Sequence, residues 1–107
     1  MMKKIIITNY KVKGLEDGKL VEVDYDVKEA IIAVIFHPSL RLDGRALLLR
    51  GKLADKIEAA KGEILLEDAS YASIKSAFEL VEGFGKNDLE LVKRVLEAET
   101  VEVKEKK

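Results

Sequence analysis

The hydrophobic pattern changes its period within VEVDYDVKEAIIAVIF, residues Val21–Phe36. The first five residues alternate between apolar and acidic side chains, which is the pattern of a half-buried β-strand. Asp26 and Glu29 then have the spacing of a capping box, so we expect a helix over Val27–Phe36 that ends before Pro38. This stretch predicts a strand followed directly by a helix, and with it a domain of the α+β class.

A β-hairpin is predicted in front of this helix. A weakly alternating segment leads into Gly14–Lys19, which is rich in turn-forming residues, and the alternating strand follows. If Val12 lies opposite Val21, apolar side chains meet, and the neighbouring pair Lys11 and Glu22 has opposite charges. We therefore expect this register.

The rest of the chain has the patterns of three more helices and two short strands. Asp43 is the expected cap of the second helix, and Asn87–Glu90 has the spacing of a second capping box, which is expected to open the fourth helix. The predicted elements are strands at 4–13, 20–25, 63–66 and 100–103, and helices at 27–36, 44–61, 67–82 and 88–98. Apolar residues spaced three or four apart predict the core-facing stripes of the last three helices: Leu49, Leu53, Ile57 and Ala60; Tyr71, Ile74, Phe78 and Val81; Leu89, Val92 and Leu96. We expect the C-terminal strand to join the hairpin in one small antiparallel sheet.

Composition indicates one domain over residues 1–103, followed by a charged flexible tail at 104–107. The chain has 107 residues, of which 48% are hydrophobic and 36% are charged, and its net charge is -1. This balance lacks the basic excess typical of nucleic-acid-binding proteins. Because there is no cysteine, disulfides and thiolate metal sites are excluded.

The longest apolar run is Ala30–Phe36, whereas a membrane-spanning helix needs about 20 residues. We therefore expect no membrane segment and a cytoplasmic protein, or one in the host cytoplasm if it is viral. The chain has no glutamine and two asparagines but many lysines and glutamates, which favours a thermophilic source.

Residues suited to catalysis are few. His37 is the only histidine, and it is either a general base or metal ligand or an ordinary histidine at a helix C-terminus. The adjacent carboxylates Glu67 and Asp68 are typical of a helix start. Gly83–Lys86 resembles part of a phosphate loop but lacks its full spacing and the Ser or Thr after the lysine. We predict no enzyme, no metal site and no cofactor.

Three of the four arginines, Arg41, Arg45 and Arg50, lie within ten residues around a predicted helix start. Such a cluster can bind phosphate, it can border a surface that contacts protein, or it can be the solvated face of an ordinary capped helix. Leu47 and Leu48 lie off the predicted inner stripe, which favours a protein partner.

The first helix is apolar on every side over Ala30–Phe36, and a helix of this kind must be buried all round. We expect the other elements of so short a chain to leave part of it uncovered. Ile32 and Ile35 are therefore predicted to contact a second copy in a homodimer.

The alternative is a small nucleic-acid-binding regulator. It would use Arg41, Arg45 and Lys52, or the last two helices as a helix-turn-helix with Lys93 and Arg94. The last helix also carries several carboxylates, which makes it a poor face for phosphate. Nucleic acid is therefore the less favoured partner.

The order of segments resembles a group of small, mostly uncharacterised proteins encoded by tailed bacteriophages and prophages. In that group an extended segment leads into a short helix like Val27–Ile31, and a helix like Leu47–Ala60 begins around an Asp-Gly pair. A short strand like Glu63–Leu66 precedes an acidic helix start, and the final helix is similar to Leu89–Leu96. The resemblance spans about residues 20–103 and implies a non-enzymatic accessory protein made inside the host cell.

Overall fold

The computed structural model describes residues 2–101, which form five strands and four α-helices. The strands are β1 (Met2–Ile6), β2 (Tyr10–Glu16), β3 (Lys19–Tyr25), β4 (Glu63–Glu67) and β5 (Glu99–Val101), and the helices are α1 (Val27–Ile35), α2 (Gly44–Ala59), α3 (Asp68–Leu80) and α4 (Leu89–Leu96). The predicted α+β class is confirmed, with an N-terminal hairpin, four helices and a C-terminal strand. The predicted tail at 104–107 and residues 102–103 of the predicted last strand lie outside the described residues.

The centre of the larger sheet is β1, which pairs with β4 on one side and β5 on the other, both antiparallel. The single strand predicted over residues 4–13 is wrong, because the chain leaves the sheet after Ile6 and enters the hairpin at Tyr10. Ile7 is buried, and its amide donates to the Gly62 carbonyl at 2.9 Å. The C-terminal strand pairs with β1 rather than with the hairpin, since this departure leaves the second edge of β1 open.

The hairpin is confirmed, but its predicted register is wrong by two residues. Val12 lies opposite Val23 instead of Val21. The strands run further than expected and meet at a two-residue turn, Asp17–Gly18, in which both residues have positive φ. A turn of this length and conformation sets the register of the two strands. The new register also opposes Lys11 to Asp24, and the two form an ion pair at 2.6 Å.

Two stacked tyrosines attach the hairpin to the body of the protein. The rings of Tyr10 and Tyr25 lie 4.7 Å apart, and burial raises the pKa of both hydroxyls. The Tyr10 hydroxyl donates to the Asn87 carbonyl at 2.7 Å, and the Tyr25 hydroxyl donates to the Asp88 carboxylate. The capping box expected at Asn87–Glu90 is wrong: the Asn87 amide donates to the Lys13 carbonyl, Glu90 accepts from Arg94, and no side chain caps α4. Asp88 accepts from Tyr25 and from the Gly85 amide instead.

Arg94 holds the segment between the two sheets. Its guanidinium donates to the carbonyls of Ile6 at 3.2 Å and Thr8 at 2.7 Å. It also pairs with Glu90 at 2.8 Å and lies over the ring of Tyr10 at 5.0 Å. Because a two-stranded hairpin alone is marginally stable, these contacts fix its direction relative to the body.

Helix α1 is enclosed by its own domain to a greater extent than the sequence suggested. Asp26 caps it as predicted, accepting from the Glu29 amide at 3.1 Å. Helices α2 and α3 pack against it, so that Ile31 and Ile35 are completely buried. The prediction that Ile35 contacts a partner is therefore wrong, and Ile32 is only half-exposed.

The predicted inner stripe of α3 is confirmed, since all four of its residues are buried. The Tyr71 hydroxyl also donates to the Val95 carbonyl of α4 at 2.7 Å. The predicted stripe of α4 is wrong at Leu89, which is 67% exposed, whereas Val92 and Leu96 are half-buried and pack against the core beside the completely buried Leu91 and Val95. This helix has apolar residues on more than one side, and its contact with α3 selects the face that is buried.

We expect Gly51→Ala to stabilise the protein by about 0.5–1 kcal/mol. Gly51 lies inside α2, and an added Cβ would meet nothing within 4 Å, so that alanine gains helix propensity without a clash. Thermal unfolding measures the change. Gly62→Ala is the control and should destabilise, because Gly62 has a φ of 74°. A lower melting temperature for Gly51→Ala would contradict this explanation.

We expect Arg94→Ala to lower the free energy of unfolding by about 2–3 kcal/mol, since it removes several hydrogen bonds to otherwise unpaired groups. Urea unfolding gives the magnitude, and faster amide exchange in β2 and β3 would locate the loosened region. The neighbouring exposed residue provides the control, as Lys93→Ala should change stability by less than about 0.5 kcal/mol. Equal effects of the two substitutions would show that Arg94 has no special role.

Candidate protein-interaction surface

The first half of α2 carries three consecutive exposed leucines. Leu47, Leu48 and Leu49 are 51%, 64% and 60% exposed, and we call them the leucine surface. Successive helix residues are about 100° apart, so three in a row cover more than half of the circumference and cannot all face one core. The predicted inner position of Leu49 is wrong, because the buried residues of α2 lie only in its second half.

Two shallow depressions border the leucine surface and share Leu49 and Lys52. One, of about 320 Å³, lies between α2 and the start of α3. It is lined by Leu49, Arg50, Lys52, Leu53, Lys56, Ala69, Ser70 and Ser73. The other, of about 530 Å³, is lined by Gly44, Arg45, Leu48, Leu49 and Lys52. Within residues 2–101, no Asp or Glu lines either depression.

Four cations therefore surround the leucines, and we call Arg45, Arg50, Lys52 and Lys56 the basic rim. In the described part of the chain none of them forms an ion pair. Their long stems cover apolar surface while their charged ends reach solvent. Among residues 2–101, the surface thus combines apolar area with positive charges that are not paired with a carboxylate.

Arg50 also has a structural role inside the protein. Its guanidinium donates to the Ile35 carbonyl at 3.4 Å, near the C-terminal end of α1. Burial lowers the pKa of Arg50, although an arginine side chain keeps its charge at neutral pH. Arg50 therefore stabilises the junction of α1 and α2 as well as bordering the leucine surface.

The three clustered arginines do not form one site. Arg41 follows the 3-10 turn Pro38–Leu40 in a left-handed conformation, with φ 49°, and it lines neither depression. Arg45 borders one depression and Arg50 the other. Of the predicted contact residues, Arg45, Leu47, Leu48 and Arg50 thus lie together on α2, while Ile32 lines a separate depression with Asp26, Lys28, Glu29 and Glu58.

The residues proposed for nucleic acid are divided between two parts of the molecule. Arg45 and Lys52 belong to α2, whereas Lys93 and Arg94 line a depression between β2 and α4. The Nη1 and Nε groups of Arg94 already donate to backbone carbonyls and to Glu90, which leaves this side chain fewer donors for phosphate.

Sequence reasoning missed three other lysines beside this depression: Lys11, Lys13 and Lys86. The two-residue spacing of Lys11 and Lys13 was a signal, since it places both on one face of β2. The pairing of Lys11 with Asp24, however, takes up one of these charges and raises the pKa of Lys11.

His37 has a local structural role. Its Nδ1 accepts from the Ser39 amide at 3.2 Å and lies 2.8 Å from the Ser39 hydroxyl, so the side chain caps the turn that begins at Pro38. Within residues 2–101, no group of three His, Asp or Glu side chains is placed to hold a metal ion. No helix in this range has the length and hydrophobicity required to cross a membrane.

Comparison with known proteins adds no relative to this picture. No protein-family model matches the sequence, and no curated protein or solved structure matches it. The surface on α2 is therefore interpreted from its own residues.

Proposed function

We propose that this protein is a non-catalytic interaction protein that binds an acidic, apolar protein segment on the leucine surface. The observation that carries the proposal is the group of three exposed leucines surrounded by the basic rim, without a carboxylate among the described lining residues. The leucines provide the affinity, and the cations select the charge of the partner.

Covering the leucines is favourable because each is more than half exposed. Full burial of a leucine side chain contributes about 1.5–3 kcal/mol, so covering the remaining area of the three leucines contributes about 3–5 kcal/mol in total. Ion pairs at the edge add orientation and faster association rather than much affinity. These terms support a weak, reversible complex.

Charge decides between the candidate partners. In a symmetric dimer through this surface, the same patch would face itself, and the basic rims of two copies would repel each other. Nucleic acid would neutralise the cations but would not cover three adjacent leucines, because its recognition is dominated by phosphate contacts. An acidic amphipathic protein segment satisfies both parts of the surface. The resemblance to phage accessory proteins, the cytoplasmic placement and the thermophilic source stay predictions.

The test is a titration of the labelled protein with a synthetic helical peptide that carries leucine on one face and glutamate on the other. We expect NMR shifts at Leu47–Lys52 and at Ser70 and Ser73, and we expect them to weaken as salt screens the charges. A peptide with lysine in place of glutamate should not bind.

Two variants make the test specific. Leu48→Glu should weaken peptide binding by about tenfold or more, corresponding to a loss of about 1.4 kcal/mol. Leu80→Glu changes a leucine of similar exposure, 66% against 64%, outside both depressions and should bind like the parent. Absence of shifts on α2, or equal binding of the two peptides, would refute the proposal. Salt-sensitive binding of duplex DNA at α2, without peptide binding, would favour the regulator instead.

A further inference from the structure

The sheet β4-β1-β5 has one face that packs on helices and one that points outward. Residues alternate between these faces, so that Ile5, Ile64 and Leu66 are buried in the core. Lys3, on the inner face, lies over the ring of Tyr71 at 5.5 Å, which places α3 on this side. The intervening residues of each strand therefore belong to the outer face.

The outer face has apolar residues around a central lysine, with glutamates at its edges. Its apolar residues are Met2, Ile6, Leu65 and Val101, which are half-buried or exposed. Exposed glutamates lie around them at positions 63, 67 and 99. Lys4 is the central cation, and it pairs with Glu99 at 3.3 Å. We call this the outer sheet face, and its carboxylates exceed its cations by two, three glutamates against one lysine.

The outer sheet face has the chemistry that the leucine surface requires, namely apolar area bordered by negative charge. The leucines are more than half exposed and the apolar residues of the outer sheet face are half-buried or, at Ile6, 37% exposed, so within the described residues neither surface is completely covered in one chain. We propose that the leucine surface of one copy binds the outer sheet face of a second copy, in a head-to-tail contact. This inference rests on the proposed function and names the acidic partner as the protein itself.

A head-to-tail contact resolves the charge problem of self-association. A two-fold dimer would place the basic rim against another basic rim, whereas the head-to-tail contact places it against Glu63 and Glu67. Each copy keeps one free surface of each kind, so assembly continues until a ring closes or a chain of subunits grows. The leucine surface and the outer sheet face each consist of few residues, which is small for a protein interface. The association is therefore weak, and it depends on protein concentration and on salt.

Charge reversal on each surface provides the test. One variant carries Arg45→Glu, Lys52→Glu and Lys56→Glu, and the other carries Glu63→Lys and Glu67→Lys; all five positions are exposed, and circular dichroism checks the fold. Sedimentation velocity should show that the parent associates as its concentration rises. Each variant alone should stay monomeric, because its two surfaces then have the same sign. An equimolar mixture should regain the parental association, because every contact between unlike variants is again complementary.

A mixture that stays monomeric, or a variant that associates alone as the parent does, would overturn the inference. Leu80→Glu is the matched control and should associate like the parent, while Leu48→Glu should not. A parent that is monomeric at all accessible concentrations but binds the leucine–glutamate peptide would refute self-association and leave the proposed function standing. A monomeric parent that also fails to bind the peptide would refute both.

Discussion

The structure depends on the hydrogen-bonding requirement of β1. As the central strand of its sheet, β1 has backbone groups on two edges, and unpaired groups at either edge would be costly if buried. Strand β4 supplies one edge and β5 the other, so that segments from the beginning, middle and end of the chain meet in one sheet. The chain must then leave this sheet after Ile6, and the hairpin forms a separate sheet.

The separate hairpin explains the polar contacts around α4. Two strands alone bury little, so the hairpin is held by Tyr10, Tyr25 and the residues that bind them. Arg94 completes this attachment through carbonyls that the departing chain leaves free, at Ile6 and Thr8. A cation that the sequence offered as a phosphate ligand is thereby used for folding, since a guanidinium can donate to several acceptors at once. The same holds in part for Arg50 at the end of α1.

Once the core has formed, several apolar areas remain on the surface of the described residues, and two of them, the leucine surface and the outer sheet face, have borders of opposite charge. Of α2, only the second half contributes buried residues to the core, and of the sheet, only the inner face does. The leucine surface, on the first half of α2, and the outer sheet face therefore remain outside the core. Charged borders keep such areas soluble in the single chain, and they also determine which surfaces attract one another. The same charged residues thus serve both the solubility of the single chain and its selection of a contact surface.

Most helices and strands could be predicted from the sequence, because their signals are local, whereas the break between β1 and β2 could not. Asp26 and Asp43 cap helices as predicted, and Tyr71, Ile74, Phe78 and Val81 face the core because only one face of α3 is apolar in that spacing. In α4 two faces are similarly apolar, so the local pattern was insufficient to predict which face is buried. In the hairpin the length of the turn at Asp17–Gly18 sets the register, which the alternating pattern did not reveal.

Only the tertiary structure decided which strands pair, which leucines stay outside and which arginines are free. Those outcomes depend on contacts between residues far apart in the chain, such as Arg94 with Thr8 and Arg50 with Ile35. A local pattern carries no information about such pairs. The predicted site residues Arg45, Leu47 and Leu48 do lie together, because helical spacing alone brings them to one end of α2. The outer sheet face, which we propose as their partner, forms only when three strands that are distant in the sequence align.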